Sequence, residues 1–516
     1  MTAAPPGPAG AATIHDLIER NARLRPQAPY ALATETGLSL THGELARACR
    51  RVVALLQTHG AKPGDTVSVV MPNGLQTVRV LLAAMHGGFC VNPVNLLSQP
   101  EQMRNVLVHS DCTLVCVAPA WEQRVRDMLS TIQRSVAVIV AEPDALWLPG
   151  EPANDAAAEL PAPAPAPDAL ALLMYTSGTT GVPKGVMLSQ ANLAANAQAI
   201  STEHALLASD RVLAVLPLYH INAFAVNMLA PLAHGGSLAL PAKFSTAGFW
   251  AQAAASNCSW LNVVPTMISY LLEGAAPLSG QTAGIHFCRS ASAALPPEHL
   301  LAFEQAFGIG IIETMGLTET AAPSFSNPRE ATLRKLGSVG RASGCEARVI
   351  DAALAPLPDG STGEIAIRGP HVMRGYYKAD ADTRATFTPD GWLRSGDLGH
   401  RDADGFFFIT GRIKELIIKG GENIAPREID EALLKHPGVR EAAAVGIPDR
   451  HYGQEIMACV VLRDGVVCSE EALRAFCSAH LGPYKTPKLF RFVAELPRGP
   501  SGKVQRLKLL ALLGGA

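Results

Sequence analysis

The sequence predicts an α/β protein with a large N-terminal domain of layered α/β subdomains, a β-rich subdomain, and a small mobile α+β C-terminal domain. The chain has 516 residues, which is too many for one hydrophobic core. Helix and strand patterns alternate from residue 13 to about 335, which favours largely parallel sheets covered by helices. The pattern then changes to short strands with turns over 336–411. Shorter helices and strands follow over 412–516. The large domain is therefore expected to cover 13–411 and the small domain the rest.

The first subdomain, about 13–168, is predicted from alternating periodicities. Helical spacing of apolar residues and short Val-rich runs indicate elements at Glu44–Thr58, Thr66–Met71, Leu75–His86 and Cys90–Asn92. The segment between 152 and 168 is rich in proline and alanine, which is typical of an exposed connector.

The remaining subdomains, about 169–335 and 336–411, differ in pattern. Strand–loop–helix alternation resumes at Ala169, whereas EARVID, GEIAIRG and GFFFITG predict the short strands of the β-rich subdomain. In the small domain, PREIDEALLKHPG and EEALRAFCSAH predict helices, and REAAAVGIP and IMACVVL predict strands.

Composition excludes several classes of protein. The net charge is −2 and no sustained basic run occurs, which argues against nucleic-acid binding. The ten cysteines show neither zinc-finger spacing nor a dense disulfide framework, so a reducing compartment is expected. The N-terminus lacks the features of a signal peptide, and no apolar run reaches membrane-spanning length. We therefore expect a cytoplasmic protein without membrane insertion.

The segment 174-MYTSGTTGVPKGVMLSQ-190 carries the clearest functional signal. Small hydroxyls and glycines allow backbone amides to surround phosphate oxygens, and a lysine adds positive charge. The candidate residues are Thr176, Ser177, Gly178, Thr179, Thr180 and Lys184. The Walker pattern GxxxxGK[ST] does not fit, because Lys184 follows Pro183 and precedes Gly185. The segment predicts a strand, a phosphate-binding loop and then a helix starting near Ser189. The alternative is a surface loop without function.

Further motifs follow in order along the chain: Glu313–Thr320, Gly391–Gly399, Gly411–Ile424 and Leu496–Gln505. The Thr318–Glu319 pair offers hydroxyl and carboxylate oxygens, which suit a phosphate and Mg²⁺. Asp397 lies between glycines and suits two ribose hydroxyls. Alone, the Thr318–Glu319 segment could be the capped start of a helix. Asp397 could be a turn residue, and the lysine of Leu496–Gln505 could be a solvated surface residue.

With the 176–185 segment, these motifs resemble the adenylate-forming superfamily, which includes acyl-CoA synthetases, adenylation domains of peptide synthetases and firefly luciferase. Its signature loop is TSGTTGxPKG, and the resemblance extends from about residue 13 to 511. It implies a carboxylic acid substrate, ATP, Mg²⁺ and coenzyme A. The acid would attack the α-phosphorus of ATP to form an acyl-adenylate, and a thiol would then displace AMP.

The resemblance also implies roles for individual residues. Thr318 would contact the α-phosphate and Glu319 the metal, while Met315 stands where the superfamily usually has an aromatic residue stacked on adenine. Asp397 and Arg412 would contact ribose.

In the small domain, Lys414 matches the hinge and Lys503 the catalytic lysine of adenylation. Gly420 and Gly421 would line the tunnel for the pantetheine arm, where bare backbone leaves room for the thiol.

The acid pocket is predicted from Pro217–Asn222, 286–295 and the residues after Glu319. Its candidate residues are Tyr219, His220, Asn222, Arg289, Ser290 and Ser292. These segments are most similar to ligases for short polar acids, such as the oxalate–CoA and sulfoacetate–CoA ligases. Against oxalate itself, the family histidine after the Thr-Glu pair is absent. Arg289 could bind a second anionic group or form a structural ion pair. By resemblance, His220 matches the gating or substrate-facing position and is a candidate catalytic residue; the alternative is a packed core histidine.

The acceptor and the assembly remain open from sequence. Coenzyme A is favoured over a carrier protein, because few residues follow Lys503. Longer or aromatic acids, and a catalytically silent nucleotide sensor, are the alternatives. A luciferase-type oxygenase is compatible with the fold, although no residue favours it. The chain is expected to be a monomer or a homodimer.

Overall fold

The structure is a computed structural model that describes residues 12–152, 164–176, 183–498 and 504–514. Ser177, Gly178, Thr179, Thr180 and Lys503 therefore lie outside the described residues, as does most of the proline- and alanine-rich connector. The described residues form four sheets. Together with the helices, these sheets confirm the predicted mixed α/β fold class.

The first sheet holds the strands on either side of the predicted phosphate loop. In spatial order it contains β18 (Gly375–Tyr376), β8 (Lys184–Ser189), β7 (Leu170–Thr176), β4 (Cys90–Pro93), β3 (Thr66–Val70), β5 (Leu114–Val117) and β6 (Ala137–Val140). The pairs from β7 to β6 are parallel, whereas β8 and β18 are antiparallel additions. Consecutive buried residues in β3, β4 and β5 fit a sheet covered on both faces.

The second sheet carries the segments predicted to form the acid pocket and the Thr-Glu motif. Its spatial order is β15 (Arg341–Ala342), β14 (Ala322–Ser326), β13 (Ile311–Leu317), β12 (Phe287–Ser290), β11 (Trp260–Val263), β9 (Arg211–Leu213), β10 (Ser237–Leu240), β1 (Pro29–Ala33) and β2 (Ser39–Thr41). Strands β9, β11, β12 and β13 run parallel, so their carboxyl ends lie along one edge.

The last two sheets correspond to the β-rich segment and the small domain. The third contains β16 (Glu346–Ile350), β17 (Gly363–Arg368), β19 (Leu393–Arg401) and β20 (Phe407–Arg412), all antiparallel. The fourth contains β22 (Glu422–Ile424), β21 (Ile417–Lys419), β24 (Gly453–Leu462), β23 (Val439–Asp449) and β25 (Leu489–Phe492). A separate apolar cluster packs under this fourth sheet, as a small α+β domain requires.

Helices cover the sheets, and some of them begin at a side-chain cap. They are α1 (Ile14–Leu24), α2 (His42–Thr58), α3 (Leu75–His86), α4 (Pro100–His109), α5 (Pro119–Leu129), α6 (Gln190–Glu203), α7 (Ala230–His234), α8 (Phe249–Ala255), α9 (Pro265–Glu273), α10 (Pro297–Phe307), α11 (Asp380–Thr386), α12 (Pro426–Leu434) and α13 (Glu470–Leu481). Thr13, Thr41 and Ser189 each cap a helix reciprocally with the residue three positions on. No helix in the described ranges is long and apolar enough to span a membrane.

One expectation about the phosphate loop is wrong. Residues 184–189 form strand β8, which pairs back on β7 with Thr176 opposite Lys184. The sequence did not predict this strand between the loop segment and the helix, whereas the predicted helix start near Ser189 is confirmed, because α6 begins at Gln190. Burial along β8 does not alternate with the period of a strand, and its first two residues, Lys184 and Gly185, give no strand signal. The N-terminus of α6, capped by Ser189, is thus separated from this segment by a whole strand.

Candidate active site

The candidate acid pocket and the Thr-Glu motif lie at the carboxyl ends of neighbouring strands. Strands β12 and β13 pair in parallel, with Ser290 opposite Glu313. The Thr314 hydroxyl donates a hydrogen bond to the Ser290 carbonyl at 3.4 Å, which ties the two strand ends together. Ligands of open α/β sheets bind at this edge, where loops leave successive parallel strands. Two motifs that are distant in sequence therefore form one region.

Arg289 is the most unusual residue of this region. Its side chain is buried, with 1% of the residue exposed. Nη1 donates to the Asn222 and Asn262 side-chain oxygens at 2.7 and 2.8 Å, and neither oxygen carries a charge. No carboxylate of the described residues forms an ion pair with it. Burial lowers the pKa of Arg289 to about 9, so the guanidinium remains a cation at pH 7.

The charge of Arg289 also affects a neighbouring histidine. Burial first, and then the Arg289 cation, lower the pKa of His204 to about 3. His204 is therefore neutral at pH 7 and cannot compete for an anion. The structural ion pair that the sequence left open for Arg289 is absent from the described residues, so the buried cation has no counter-charge among them.

Three further pocket candidates cluster with Arg289. The Asn222 amide nitrogen donates to the Ser292 hydroxyl at 3.3 Å. Ser292 has a φ of 75°, which an L-residue rarely adopts and which turns the chain sharply after β12. The Ser290 hydroxyl is buried and lacks a partner among the described residues. The prediction that Asn222, Arg289, Ser290 and Ser292 lie together therefore agrees with the geometry.

Tyr219 and His220 precede this cluster in the chain. Their rings contact edge to face, with centroids 4.8 Å apart. Both residues are partly exposed, and burial raises the pKa of Tyr219 to about 12. His220 is therefore not a fully packed core histidine.

Glu319 and Lys184 are connected by a tyrosine that the motifs did not reveal. The Tyr376 hydroxyl donates to Glu319 Oε1 at 2.8 Å, and the Lys184 ammonium lies 5.0 Å from the centroid of the same ring. Lys184 also pairs with Asp382 at 2.6 Å. Because β18 pairs with β8, Tyr376 bridges the two sheets at this point. The Tyr376 side chain thus contacts both Glu319 and Lys184, two residues of the predicted phosphate site.

The backbone around Glu319 is tightly constrained. A Cβ at Gly316 would lie 1.8 Å from the Ala322 carbonyl oxygen, so no larger residue fits there. Ala321 and Ala322 have φ values of 55° and 92°, which are strained for alanine. The Met373 amide donates to the Glu319 carbonyl at 2.8 Å. These constraints fix the position of the Thr318–Glu319 pair.

The two predicted ribose ligands contact each other. Asp397 lies opposite Arg412 on β19 and β20, and Arg412 Nε donates to Asp397 Oδ1 at 2.6 Å. Asp397 is 2% exposed, and its charge raises the pKa of Arg412. Met315 is half-buried against an apolar cluster that includes Phe325. Where the superfamily pattern has an aromatic ring, this chain therefore offers a thioether seated on apolar side chains.

The small domain supplies the remaining predicted residues. Gly420 and Gly421 form the turn between β21 and β22, with φ values of 55° and 88° that favour glycine. A Cβ at Gly420 would lie 3.1 Å from the Tyr484 hydroxyl. Lys414 lies in a 3₁₀ turn directly after β20. Lys503 is outside the described residues, so its contacts stay a prediction.

The residues that could hold Mg²⁺ offer one carboxylate, that of Glu319. Within the described ranges, the only group of three His, Cys, Asp or Glu side chains close enough for a metal is His15, Glu19 and His86, at α1 and α3. There the imidazole rings stack at 4.2 Å, so their in-plane lone pairs do not converge, and Arg50 already pairs with Glu19. A single carboxylate fits Mg²⁺, which takes its other ligands from phosphates and water.

Glu313 is a titratable residue without an assigned role at this edge. Burial raises its pKa from 4.5 to about 7, and Arg427 of α12 opposes that shift. Because the folded-state pKa is raised, its stabilising contribution is complete below pH 4.5 and is lost as the pH rises through 7. We expect Glu313→Gln to become more stable than the unaltered protein over this range, by about 1 to 3 kcal/mol at pH 8.

Thermal denaturation from pH 4.5 to 8 measures this difference. Glu101→Gln, at an exposed position on α4, is the matched control and should follow the unaltered protein. If the difference in stability between Glu313→Gln and the unaltered protein stays constant from pH 4.5 to 8, the raised pKa is contradicted.

Sequence reasoning missed four residues of this region: Asn227, Asn262, Tyr376 and Asp382. Asn227 and Asn262 stand in apolar runs, where buried amides are uncommon and could have been noticed. Tyr376 and Asp382 follow Glu319 by about sixty residues, and only the folded chain brings Tyr376 to Glu319 and Asp382 to Lys184.

Comparison with known proteins identifies the family of the chain. The family model described as AMP-binding enzyme matches residues 18–377, and the model of the AMP-binding enzyme C-terminal domain matches residues 428–503. A sulfoacetate–CoA ligase of Cupriavidus necator is 58% identical over 498 residues, covering 96% of this chain and 97% of that protein. An oxalate–CoA ligase of Arabidopsis thaliana is 35% identical over 511 residues, covering 96% and 97%.

A solved structure shares the fold along the whole chain. The crystal structure of ATP-bound MatB from Rhodopseudomonas palustris superposes with a TM-score of 0.89 at 28% identity, covering 98% of this chain and 99% of that one. It has the same large N-terminal and small C-terminal parts.

Proposed function

Since the chain belongs to the AMP-binding enzyme family and is an ATP-dependent carboxylate–CoA ligase, we propose that its acid substrate is short and carries a second anionic group. A sulfonate, as in sulfoacetate, or a second carboxylate would fit. The carboxylate attacks the α-phosphorus of ATP, the bond to the bridging oxygen breaks, and pyrophosphate leaves. The thiol of coenzyme A then attacks the acyl carbon, its proton is lost, and AMP leaves.

The buried guanidinium of Arg289 is the observation that carries this proposal. An isolated cation inside a protein is costly unless an opposite charge accompanies it. The described residues supply two neutral oxygens to Nη1 and no counter-charge. A second anionic group on the substrate would provide that charge and displace little water. A long apolar acid would instead leave the cation uncompensated beneath its chain.

The named relatives support the same class of acid. The two curated proteins above act on sulfoacetate and on oxalate, which are both dianionic at neutral pH. The 58% identity with the sulfoacetate–CoA ligase favours a sulfonate as the second group. The hydroxyls of Ser290 and Ser292 add hydrogen-bond donors that suit either anion.

The nucleotide half of the site is proposed on the opposite side of β13. Thr318 would contact the α-phosphate, and Asp397 with Arg412 would bind ribose, since a buried carboxylate fixed by a guanidinium accepts two hydroxyls well. Glu319 would hold Mg²⁺, which neutralises charge on the phosphates when it is bound. Met315 would lie against adenine, and the 176–185 segment would surround the β- and γ-phosphates.

For the second step, we propose that the small domain rotates about Lys414. Lys503 would neutralise the charge between carboxylate and phosphate during adenylation and then withdraw. Gly420 and Gly421 would admit the pantetheine arm, because their φ values and lack of side chains leave space beside the backbone. Such rotation is a known form of domain closure in enzymes with two half-reactions.

Tyr376→Phe is expected to weaken MgATP binding about tenfold while leaving the Kd of metal-free ATP almost unchanged. The substitution removes the hydroxyl that donates to Glu319 and keeps the ring beside Lys184, and hydrogen bonds to charged groups contribute about 1.5 to 3 kcal/mol. Isothermal titration with and without Mg²⁺ measures both constants. Tyr377→Phe, which loses a bond to Asp111 instead, is the matched control. Equal weakening with and without Mg²⁺ would contradict a role for Glu319 at the metal.

Pyrophosphate release from MgATP across a panel of acids tests the proposed substrate. Sulfoacetate, oxalate and malonate are compared with acetate, benzoate, octanoate and palmitate, each with and without coenzyme A. We expect turnover stimulated by coenzyme A with a dianionic short acid and a much lower kcat/KM with acetate. Turnover restricted to aromatic or long acids would overturn the acid class while leaving the ligase activity intact.

A further inference from the structure

Behind Arg289 lies a chain of three asparagine side chains. The Asn222 and Asn262 oxygens accept the two protons of Arg289 Nη1. The Asn262 amide nitrogen donates in turn to the Asn227 oxygen at 2.7 Å. Asn227 and Asn262 are fully buried. The bond to Asn227 fixes which way the Asn262 amide points, and so presents its oxygen to the guanidinium.

An unusual helix makes this arrangement possible. Asn222–Leu229 is a π-helix, a form with i→i+5 hydrogen bonds that occurs mostly in short pieces at functional sites. Residues five apart on an α-helix point about 140° away from each other, given 3.6 residues per turn. In the π-helix both Asn222 and Asn227 reach Asn262, whose amide nitrogen donates to the two side-chain oxygens.

The asparagines occupy only one edge of the guanidinium. With Nη1 bonded to the two oxygens, Nε and Nη2 form the other edge, and neither donates to a described residue; Nε is buried without a partner. Two parallel N–H groups match the oxygens of a carboxylate or sulfonate. Amides also hold the cation without neutralising it, whereas an aspartate at either place would supply the counter-charge that the substrate would otherwise bring.

We propose that Asn227 and Asn262 are positioning residues that set the preference of this enzyme for dianionic acids, by holding Arg289 in place while leaving its charge uncompensated. The inference rests on the proposed function, because it concerns the same pocket. It extends that function to two residues that do not touch the substrate. The preference depends on the two asparagine side chains being uncharged, and not only on the hydrogen bonds that they form.

Comparison of Asn262→Asp with Asn262→Leu tests this inference. Asn262→Asp keeps an oxygen acceptor for Arg289 but adds a negative charge, and we expect the KM for sulfoacetate to rise about 30-fold or more. Asn262→Leu removes the acceptor without adding charge, and a rise of about tenfold is expected. The KM for acetate should stay within about twofold in Asn262→Asp, and kcat should change little in either variant. A purely structural asparagine predicts the reverse order, because aspartate is the closer replacement.

Asn227→Asp provides an independent variant if a substitution at 262 prevents folding. It keeps the acceptor for Asn262 and places the charge one link further from Arg289, so a smaller rise in the KM for sulfoacetate is expected. Thermal denaturation and the KM for ATP, measured on each variant, report whether the fold is retained.

The outcomes separate the inference from the function on which it rests. An unaltered enzyme that prefers dianionic acids, together with an Asn262→Asp variant that keeps this preference, would overturn the inference alone. An unaltered enzyme without that preference would overturn both.

Discussion

Arg289→Met is expected to lower kcat/KM for sulfoacetate by about 30- to 4,000-fold, while kcat/KM for acetate stays within a few-fold of its original value. Truncating one partner of a buried charge pair typically costs 2 to 5 kcal/mol, and each 1.4 kcal/mol is a factor of ten. Methionine keeps most of the volume of the side chain but removes the cation and its donors. The decrease in kcat/KM should therefore be confined to the acid with a second anionic group, because the reaction of the first carboxylate does not depend on this cation.

Arg289→Lys separates charge from geometry. A lysine retains the positive charge but lacks the planar fork, so a loss between those of the unaltered protein and Arg289→Met is expected. Arg329→Met is the matched control, because that exposed guanidinium packs on Phe287 of the same strand without reaching the pocket. Steady-state kinetics with both acids measures the ratio. If Arg289→Met reduces both activities equally, Arg289 serves the fold and the proposed acid class loses its main support.

Lys503→Ala is expected to reduce adenylate formation by about 10²- to 10³-fold or more, while thioester formation from supplied acyl-adenylate stays close to its original rate. Removing one preorganised donor from a developing charge commonly has an effect of this size. The lysine would act in only one of two domain orientations, so the second half-reaction does not need it. Pyrophosphate release measures the first step, and coenzyme A consumption with prepared sulfoacetyl-adenylate measures the second.

Lys508→Ala is the control for this experiment, since Lys508 is an exposed lysine of the same C-terminal segment. An equal loss in both half-reactions for Lys503→Ala would contradict the assignment of two orientations. An unimpaired first step would remove Lys503 from the catalytic residues altogether.

Most secondary-structure elements were predictable because their periodicity is strong. The helix expected over Leu75–His86 has those bounds in the structure, and the strand expected at Thr66–Met71 ends one residue earlier. Strand β8 was not separated from its loop, because Lys184 and Gly185 give no strand signal and pairing with β7 decides the conformation. Such pairing is set by tertiary contacts that a local pattern does not contain.

The candidate site was partly predictable for the same reason. Motif residues such as Asp397 and Glu319 were identified through resemblance, and their roles stay predictions. The partners that give them their properties are not close in sequence: Tyr376 follows Glu319 by 57 positions, and Asn262 precedes Arg289 by 27. Neither spacing reflects a helix or strand period, so only the folded chain brings these side chains together.

The hairpin formed by β7 and β8 has a consequence for how such enzymes diversify. The predicted triphosphate segment is attached at Thr176 and Lys184, which are cross-strand neighbours, whereas the acid pocket is built on β12 and the π-helix of another sheet. Substitutions in the acid pocket can accumulate without altering the backbone of the β7–β8 hairpin. Selectivity for a new acid can therefore evolve, or be engineered, as an exchange of side chains around Arg289, with the hairpin of the predicted triphosphate segment inherited unchanged.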